Sequence, residues 1–272
     1  MPELPEVETT RRGIEPHLVG RRIIGIVVRQ SRLRWPIPDT LPQQAQGRTL
    51  QRVGRRGKYL LLDDGQLTLL IHLGMSGSLR LVEANSPPRR HDHVDLMLDS
   101  DRILRFHDPR RFGALLCFDP RQGPHPLLAK LGPEPLEADF DGAYLHRQSQ
   151  GRRRAIKSLI MDSQVVVGVG NIYASESLFL AGIEPRRAAG KLNQTEAHRL
   201  AEAIADVLTA AIAQGGTTLR DFVREDGRHG YFSQQLQVYG RGGQPCLRCG
   251  TLIQQTTVGQ RSTFHCPCCQ PG

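Results

Sequence analysis

The spacing of the hydrophobic residues changes about halfway along the chain, and each half predicts its own kind of structure. Residues 2–18 begin with prolines and then place Val7, Ile14 and Leu18 on one helical face, which predicts a helix. From about residue 22 to 118 the pattern becomes short β-branched or leucine-rich runs separated by Gly, Pro and Asp: RIIGIVV, KYLLL, LTLLIHLG, SLRLV, VDLML and RILRF. Such runs are typical of strands and predict a β-sandwich or a barrel-like domain.

The second half of the chain is predicted to be mainly helical. Residues 119–142 are rich in proline and poor in periodic pattern, as in a connector between domains. Beyond them, residues 195–214 carry an apolar stripe that ends at two glycines. The stripe consists of Leu200, Ile204, Val207, Leu208 and Ala211. We therefore expect an N-terminal domain over 1–130, a linker over 131–137, a helical domain over 138–237 and a cysteine-bearing hairpin over 238–272.

Five of the six cysteines lie in this last segment, which favours a metal site over disulfides. Four of them form two Cys-x2-Cys pairs with sixteen residues between the pairs: Cys246, Cys249, Cys266 and Cys269. This is the spacing of four thiolates around a tetrahedral Zn²⁺, and it predicts one structural zinc whose closed shell leaves no place for a reactive water. Cys268 or His265 could enter the shell instead, although only Cys269 completes the second x2 spacing.

The charge of the chain favours a polyanionic partner. There are 36 Lys and Arg against 27 Asp and Glu, a formal net charge of +9, and only four of the basic residues are lysines. Because the arginine fork suits bidentate contact with phosphate, this balance points to nucleic acid. The competing interpretation is a soluble protein from a genome that prefers arginine codons.

The sequence also predicts a cytoplasmic protein. No uninterrupted apolar run approaches the roughly 20 residues that a membrane span needs. The first residues, MPELPEVETT, lack the apolar stretch of a signal peptide. We therefore expect no contact with a membrane.

Five ordered motifs carry a resemblance that covers essentially the whole chain: PELPEVETTRRG at 2–13, HLGMSGSLR at 72–80, DPRRFG at 108–113, GVGNIYASE at 168–176 and the terminal four-cysteine ribbon. Together they resemble the formamidopyrimidine-DNA glycosylase family. The opening PELPEVE, rather than PEGPE, favours this group over the related endonuclease VIII type. The resemblance implies an α+β fold: an N-terminal β-sandwich with a leading helix, then a helix-two-turn-helix domain that ends in a zinc-binding β-hairpin.

The same resemblance implies a bifunctional DNA glycosylase and abasic-site lyase of base excision repair. Such an enzyme removes 8-oxoguanine and formamidopyrimidines from damaged double-stranded DNA and then cuts the strand by β,δ-elimination, and we expect it to act as a monomer. One rival is an endonuclease VIII-type enzyme that prefers oxidised pyrimidines. Another is a zinc-ribbon DNA-binding protein without catalysis.

Four residues are expected to carry the chemistry by their match to the family motifs. Pro2 would be the nucleophile once the initiator methionine is removed, and Glu3 would handle protons at the sugar. Glu6 would support Glu3, and Lys58 would stabilise negative charge at the lesion. Taken without the resemblance, the two glutamates would only compensate a helix dipole, and Lys58 would be a surface lysine.

A second group is expected to contact DNA. By resemblance, Met75, Arg110 and Phe112 fill the space that an extruded nucleotide leaves in the duplex. Met75 and Phe112 would otherwise be read as core residues. Lys157 and Asn171 match phosphate contacts of the family, and Asn171 lies at a glycine-rich turn before a helix. Without the resemblance, the turn would be interpreted as an ordinary tight turn and Lys157 as part of a solvated helix face.

The remaining expected DNA contacts are His72, His91 and Arg261. Arg220 and Tyr231 lie in a polar loop between the long helix and the hairpin, which is expected to hold the extruded base. Arg220 departs from the family pattern, because some members are expected to carry lysine there.

Overall fold

The computed structural model describes residues 2–216 and 236–272. These residues fall into two compact units. The first comprises residues 2–129 with 215–216, and the second comprises 130–214 with 236–272.

The described residues of the first unit form a leading helix, eight strands and two short helices. Helix α1 spans Leu4–Leu18, and a short helix α2 spans Leu41–Ala45. The strands are β1 Ile23–Val28, β2 Arg52–Arg56, β3 Tyr59–Asp63, β4 Thr68–His72, β5 Ser78–Glu83, β6 Asp92–Leu98, β7 Arg102–His107 and β8 Ala114–Phe118. They form two antiparallel four-stranded sheets, in the orders β1-β6-β7-β5 and β2-β3-β4-β8.

Apolar residues from both sheets and from α1 share one core. Ile14, Leu18, Leu60 and Leu104 are each 0% exposed and belong to the same buried cluster. Because each strand alternates its side chains between two faces, the apolar runs of the sequence supply one buried face to each sheet. The predicted leading helix and β-sandwich are therefore confirmed, and the barrel-like alternative is not what forms.

Strands β2 and β8 are not among the six predicted runs, and β2 also lacks their hydrophobic pattern. Strand β2 is RVGRR, in which only Val53 is a buried apolar residue. It forms because it pairs residue by residue with β3 and lies at the edge of its sheet, where charged side chains reach solvent. Local hydrophobicity does not show such a strand, since its formation depends on the partner strand.

The second unit is helical, as predicted. Its helices are α4 Gly142–Ser149, α5 Ile156–Ile160, α6 Asn171–Leu180 and α7 Gln194–Ala213, while α3 Pro126–Ala129 ends the first unit. Helix α7 begins at a capping box between Asn193 and Glu196 and buries the predicted stripe. No helix among the described residues is long and apolar enough to cross a membrane.

A two-stranded hairpin, β9 Gln254–Val258 and β10 Arg261–His265, lies near the end of the second unit. Its small core joins Val238, Ile253 and Phe264 to Phe179 of α6 and to two buried cysteines. The guanidinium of Arg248 lies 4.4 Å from the centre of the Phe179 ring and makes a cation–π contact beside this small core. The hairpin therefore packs against α6.

Truncation of a core leucine is expected to destabilise the first unit. Leu60 is 0% exposed, so Leu60→Ala should lower the free energy of unfolding by about 2–5 kcal/mol, since it leaves a cavity between the sheets. The matched control is Ile24→Ala on β1, where the side chain is 46% exposed and the loss should stay below about 1 kcal/mol. Urea unfolding measures both, and equal losses would contradict the assigned core.

Candidate active site and nucleic-acid interface

The N-terminus of α1 brings two carboxylates together beside Pro2. Glu3 is the N-cap, and Glu6, three residues on, completes a capping box: its Oε2 accepts a hydrogen bond from the Glu3 backbone N–H at 2.8 Å. Both side chains are buried, 2% and 0% exposed, and Pro2 is buried with them. The positive end of the helix dipole favours acidic groups here. The arrangement therefore holds two proton-carrying groups next to a proline.

Glu6 also lies close to Gly216, which follows helix α7. A Cβ atom added to Gly216 would lie 2.9 Å from Oε1 of Glu6, and Gly216 has a positive φ of 82°. Only glycine fits both conditions. The residues that follow, including Arg220 and Tyr231, lie outside the described residues, so their expected contacts with the base stay predictions.

Lys58 lies in the two-residue turn between β2 and β3, one residue before the apolar strand. Arg55, just before this turn, donates from Nε to Glu8 of α1 at 3.1 Å and from Nη1 to the Gly57 carbonyl at 3.0 Å. A charged link thus connects the Lys58 turn to the helix that begins beside Pro2. The sequence interpretation missed both Glu8 and Arg55, because nothing local distinguishes them from their charged neighbours.

The Glu8 carboxylate is the centre of this link. Burial alone would raise its pKa, but hydrogen bonds from Arg11, Arg12 and Arg55 lower the pKa to about 2. Glu8 therefore stays ionised, and its charge pairs with three guanidinium groups, two from α1 and one from β2.

Strand register collects the next candidate residues at one end of a sheet. Tyr59 of β3 pairs with His72 of β4, which pairs with Ala114 of β8. The β2–β3 turn, the 73–77 loop and the 108–113 loop therefore meet at the same end of that sheet. Lys58, Met75 and Phe112, which are far apart in sequence, lie on these three segments.

His72 is a neutral hydrogen-bond donor at this end of the sheet. Its Nδ1 accepts from the backbone N–H of Gly74 at 3.0 Å, so the proton of the neutral ring is assigned to Nε2. Burial lowers its pKa to about 4, and the positive charges of Lys58 and Arg34 act in the same direction. At neutral pH the ring offers an N–H donor beside two cations, a suitable environment for a phosphate.

Met75 and Phe112 are surface residues. Their side chains are 37% and 45% exposed, and the guanidinium of Arg110 lies 5.1 Å from the centre of the Phe112 ring. A pocket of about 520 Å³ opens beside them; its lining consists of Leu33, Arg34, His72, Gly74, Met75, Arg111 and Phe112. The sequence interpretation missed Arg34 and Arg111, although the arginine beside Trp35 and the second arginine of DPRRFG were visible signals.

His91 lies directly before β6 in a left-handed conformation, with φ of 73°. Its ring is half-buried, 6.1 Å from the ring of His93 and 6.2 Å from that of His107 between centres. Its carbonyl accepts from the backbone N–H of Asp108 at 3.0 Å. His91 is therefore connected to the 108–113 loop.

In the second unit the structure brings Lys157, Asn171 and Arg261 to the hairpin. The Lys157 ammonium donates to Thr263 Oγ1 at 2.8 Å and to the Ser262 carbonyl at 3.2 Å, and Asn171 Nδ2 donates to the same carbonyl at 3.0 Å. Arg261, next in the chain, is exposed. Lys157 is only 1% exposed, so it does not lie on a solvated helix face but joins α5 to β10.

The four predicted cysteines converge near the base of the hairpin. Their Sγ atoms all lie within 4.8 Å of one another, with Cys246 and Cys269 3.9 Å apart and Cys249 and Cys266 3.5 Å apart. Sulfurs bound to one tetrahedral Zn²⁺ at about 2.3 Å are about 3.8 Å apart. Backbone N–H groups of Arg248 and Cys269 point at the sulfurs of Cys246 and Cys266 at 3.4 Å, which suits thiolates.

The donor set therefore fits one structural zinc, as predicted. Cys268 is exposed, and neither it nor His265 belongs to the converging group. The choice of Cys269 from its x2 spacing is confirmed.

Three family models match successive parts of the chain. The formamidopyrimidine-DNA glycosylase N-terminal domain matches residues 1–115, and the formamidopyrimidine-DNA glycosylase H2TH domain matches residues 131–223. The zinc finger found in FPG and IleRS matches residues 243–272.

Full-length relatives agree with these matches. A formamidopyrimidine-DNA glycosylase of Thioalkalivibrio sulfidiphilus is 63% identical over 270 residues, which is 99% of this chain and 100% of that protein. One of Methylococcus capsulatus is 60% identical with the same coverage.

Solved structures agree in fold. The MutM (Fpg) protein of Thermus thermophilus superposes with a TM-score of 0.88 at 40% identity, over 99% of this chain and 98% of that one. A variant of the Lactococcus lactis Fpg, in complex with a Fapy-dG containing DNA, superposes with a TM-score of 0.93 at 36% identity, over 100% of both chains. The α+β fold predicted from the sequence is that of these structures.

Loss of one zinc ligand is expected to release the metal. Cys249→Ser should lower bound zinc from about one per chain to well below one, because it removes one of four thiolates. Cys268→Ser, which alters a neighbouring exposed cysteine outside the group, should keep about one zinc. Metal analysis of the purified proteins measures both, and zinc loss in the Cys268 variant alone would contradict the assigned ligands.

The lowered pKa of His72 is expected to make folding depend on pH. Its pKa is about 4 in the folded chain, against an ordinary value of 6.5, so the unfolded chain takes up a proton first as the pH falls. The contribution of the neutral His72 ring to the free energy of unfolding is complete above pH 6.5 and is lost as the pH falls from 6.5 to 4. His72→Asn keeps an acceptor for the Gly74 N–H but cannot titrate. Its free energy of unfolding, measured with urea, should therefore fall less steeply than that of the wild type between pH 6.5 and 4. The same pH dependence in both proteins would contradict this prediction.

Proposed function

Because the chain belongs to the formamidopyrimidine-DNA glycosylase family, we propose that it is a bifunctional DNA glycosylase and abasic-site lyase that removes oxidised purines from duplex DNA. Family membership supports the coarser statement, a DNA-repair glycosylase with a zinc finger. The proposed lesions are formamidopyrimidines and 8-oxoguanine; a similar structure that contains Fapy-dG DNA supports the former.

The observation that carries the proposal is the buried group of Pro2, Glu3 and Glu6 at the start of α1. A structural N-cap needs only a short polar side chain, usually Ser, Thr, Asp or Asn. Two buried glutamates next to a proline exceed that need, and they suit a nucleophile with its proton carriers.

In the proposed reaction Pro2 is the nucleophile, which requires removal of Met1 because an amide nitrogen is not nucleophilic. An α-amino group has a pKa near 8, against about 10.4 for lysine, so more of it is unprotonated at neutral pH. Proline is a more basic secondary amine than other α-amino acids, so this advantage shrinks unless the site lowers the pKa of the amine. The lone pair of the Pro2 nitrogen bonds to C1′ of the sugar as the C1′–base bond breaks and the electron pair of that bond leaves with the base. The nitrogen then gives up its N–H proton, which neutralises the departing base, and so regains a lone pair.

Glu3 then moves the protons. The C1′–O4′ bond breaks, O4′ takes a proton from Glu3, and the nitrogen lone pair completes an iminium. Because Pro2 is a secondary amine, this iminium cannot lose its charge and acts as an electron sink. Loss of a C2′ proton expels the 3′ phosphate, a second elimination expels the 5′ phosphate, and water releases the sugar fragment from Pro2.

Lys58 is proposed to stabilise negative charge at the lesion. Its charge acts on His72, which presents a neutral N–H donor, and Arg34 adds a second positive charge nearby. Such donors and cations favour a phosphate, or a base that leaves with an electron pair.

The remaining candidates are proposed to hold the duplex. Met75, Phe112 and Arg110 are exposed at one sheet end, as residues that fill the space of an extruded nucleotide would be. Arg261, positioned with Lys157 and Asn171, is proposed to contact phosphate. The net charge of +9 supports a DNA partner. Action as a monomer and a cytoplasmic location stay predictions.

The test is borohydride trapping on a duplex with one 8-oxoguanine opposite cytosine. Borohydride delivers hydride to the iminium carbon and so makes the protein–DNA bond permanent, and peptide mapping is expected to place that bond on Pro2. Glu3→Gln should slow strand cleavage about 100-fold or more, since it removes a general acid. Pro2→Gly should slow elimination, because the imine of a primary amine can lose its proton and is then a weaker electron sink.

Glu15→Gln, at the opposite end of α1, is the matched control and should cleave like the wild type. A duplex with an oxidised pyrimidine separates this proposal from an endonuclease VIII-type enzyme, which would prefer it. Absence of an adduct from wild-type protein whose mass shows a free Pro2 would overturn the proposal.

A further inference from the structure

The two loops that carry the exposed Met75 and Phe112 are in direct contact. A Cβ atom on Gly74 would lie 2.5 Å from the backbone carbon of Phe112 and from the backbone nitrogen of Gly113. Gly74 itself has a positive φ of 68°. The 73–77 and 108–113 loops therefore approach each other more closely than any side chain at position 74 would allow.

A buried carboxylate, Asp108, ties these loops together. Asp108 is 0% exposed, and its Oδ1 accepts from the Ser76 hydroxyl at 3.1 Å, in the loop of Met75. Oδ1 also accepts from the backbone N–H of Arg110 at 3.3 Å, and Oδ2 accepts from that of Gly113 at 2.8 Å. One side chain thus satisfies donors on both loops, and separation of the loops would leave a buried carboxylate short of partners.

The backbone of Asp108 extends the link to a third segment. Its N–H donates to the His91 carbonyl at 3.0 Å, and its own carbonyl contacts His93 Nε2 at 2.8 Å and accepts from the Arg111 N–H at 3.2 Å. His91, Met75 and Phe112, all expected DNA contacts, therefore depend on one residue that is itself fully buried.

We propose that Asp108 is a positioning residue that joins the Met75 and Phe112 loops into one rigid wedge for opening the duplex. This inference rests on the proposed function. A wedge must stay in place while a paired base leaves the stack, and side chains ordered in advance lose less freedom on binding. Asp108 would therefore matter most for a base-paired lesion and much less once the base is gone.

The test compares single-turnover cleavage of two duplexes of the same sequence. One carries 8-oxoguanine opposite cytosine, and the other carries an abasic site at that position, where no base remains to be extruded. Asp108→Asn keeps the shape but replaces one acceptor oxygen by a donor. It is expected to slow cleavage of the 8-oxoguanine duplex about tenfold or more and that of the abasic duplex less than about threefold.

Asp63→Asn is the matched control. Asp63 is 9% exposed, and its Oδ1 accepts from the Gly65 N–H at 3.0 Å and the Thr68 hydroxyl at 3.1 Å, while Oδ2 accepts from Arg52. It holds the turn at the opposite end of the same sheet. Asp63→Asn should leave unchanged the ratio of the cleavage rate on the 8-oxoguanine duplex to that on the abasic duplex, even if it lowers the free energy of unfolding.

Ser76→Ala removes only the link to the Met75 loop. It should lower the ratio of the 8-oxoguanine rate to the abasic rate by about threefold. This variant provides the test if Asp108→Asn does not fold. An unchanged ratio in the Asp108 and Ser76 variants, or an equal change in the Asp63 variant, would overturn this inference alone. Wild-type protein that cleaves neither duplex would overturn the proposed function, and this inference with it.

Discussion

The antiparallel register of β3, β4 and β8 is the constraint on which the candidate site of the first unit depends. It aligns Tyr59, His72 and Ala114 in one row, so that segments distant in sequence end side by side. A shift of one residue would turn every side chain of a strand to the other face and expose its buried leucines. The hydrophobic core therefore fixes the register, and the register in turn places Lys58 and the two loops beside His72.

Three buried carboxylates connect the segments around the candidate site, and each is compensated by different partners. Glu6 accepts a backbone N–H at a helix start, Glu8 binds three guanidinium groups, and Asp108 accepts hydrogen bonds from two loops. Buried charge is costly unless it is paired or hydrogen-bonded, so each of these groups favours one arrangement of its neighbours over others. These contacts hold the surroundings of Glu6, Glu8 and Asp108 together through groups of the chain itself.

In the second unit, metal ligands help to hold the terminal hairpin in place. Its hairpin has only a small apolar core, and four thiolates converge where a larger domain would have more buried side chains. Binding of zinc there contributes to folding directly, because the unfolded chain has no preformed site. Lys157 and Asn171 then attach the hairpin to α5 and α6, so that Arg261 is presented from a fixed strand.

Local features of the chain determined the leading helix, most strands, α7 and the zinc ligands, because helical and strand periods and Cys-x2-Cys spacing each lie within a few consecutive residues. The resemblance named the candidate site residues but not their surroundings. Only the tertiary structure decided that β2 is a strand, that Lys157 is buried, that Met75 and Phe112 are exposed, and that Asp108 joins their loops. Burial and hydrogen-bond partners come from segments far away in the sequence, and no local pattern contains them.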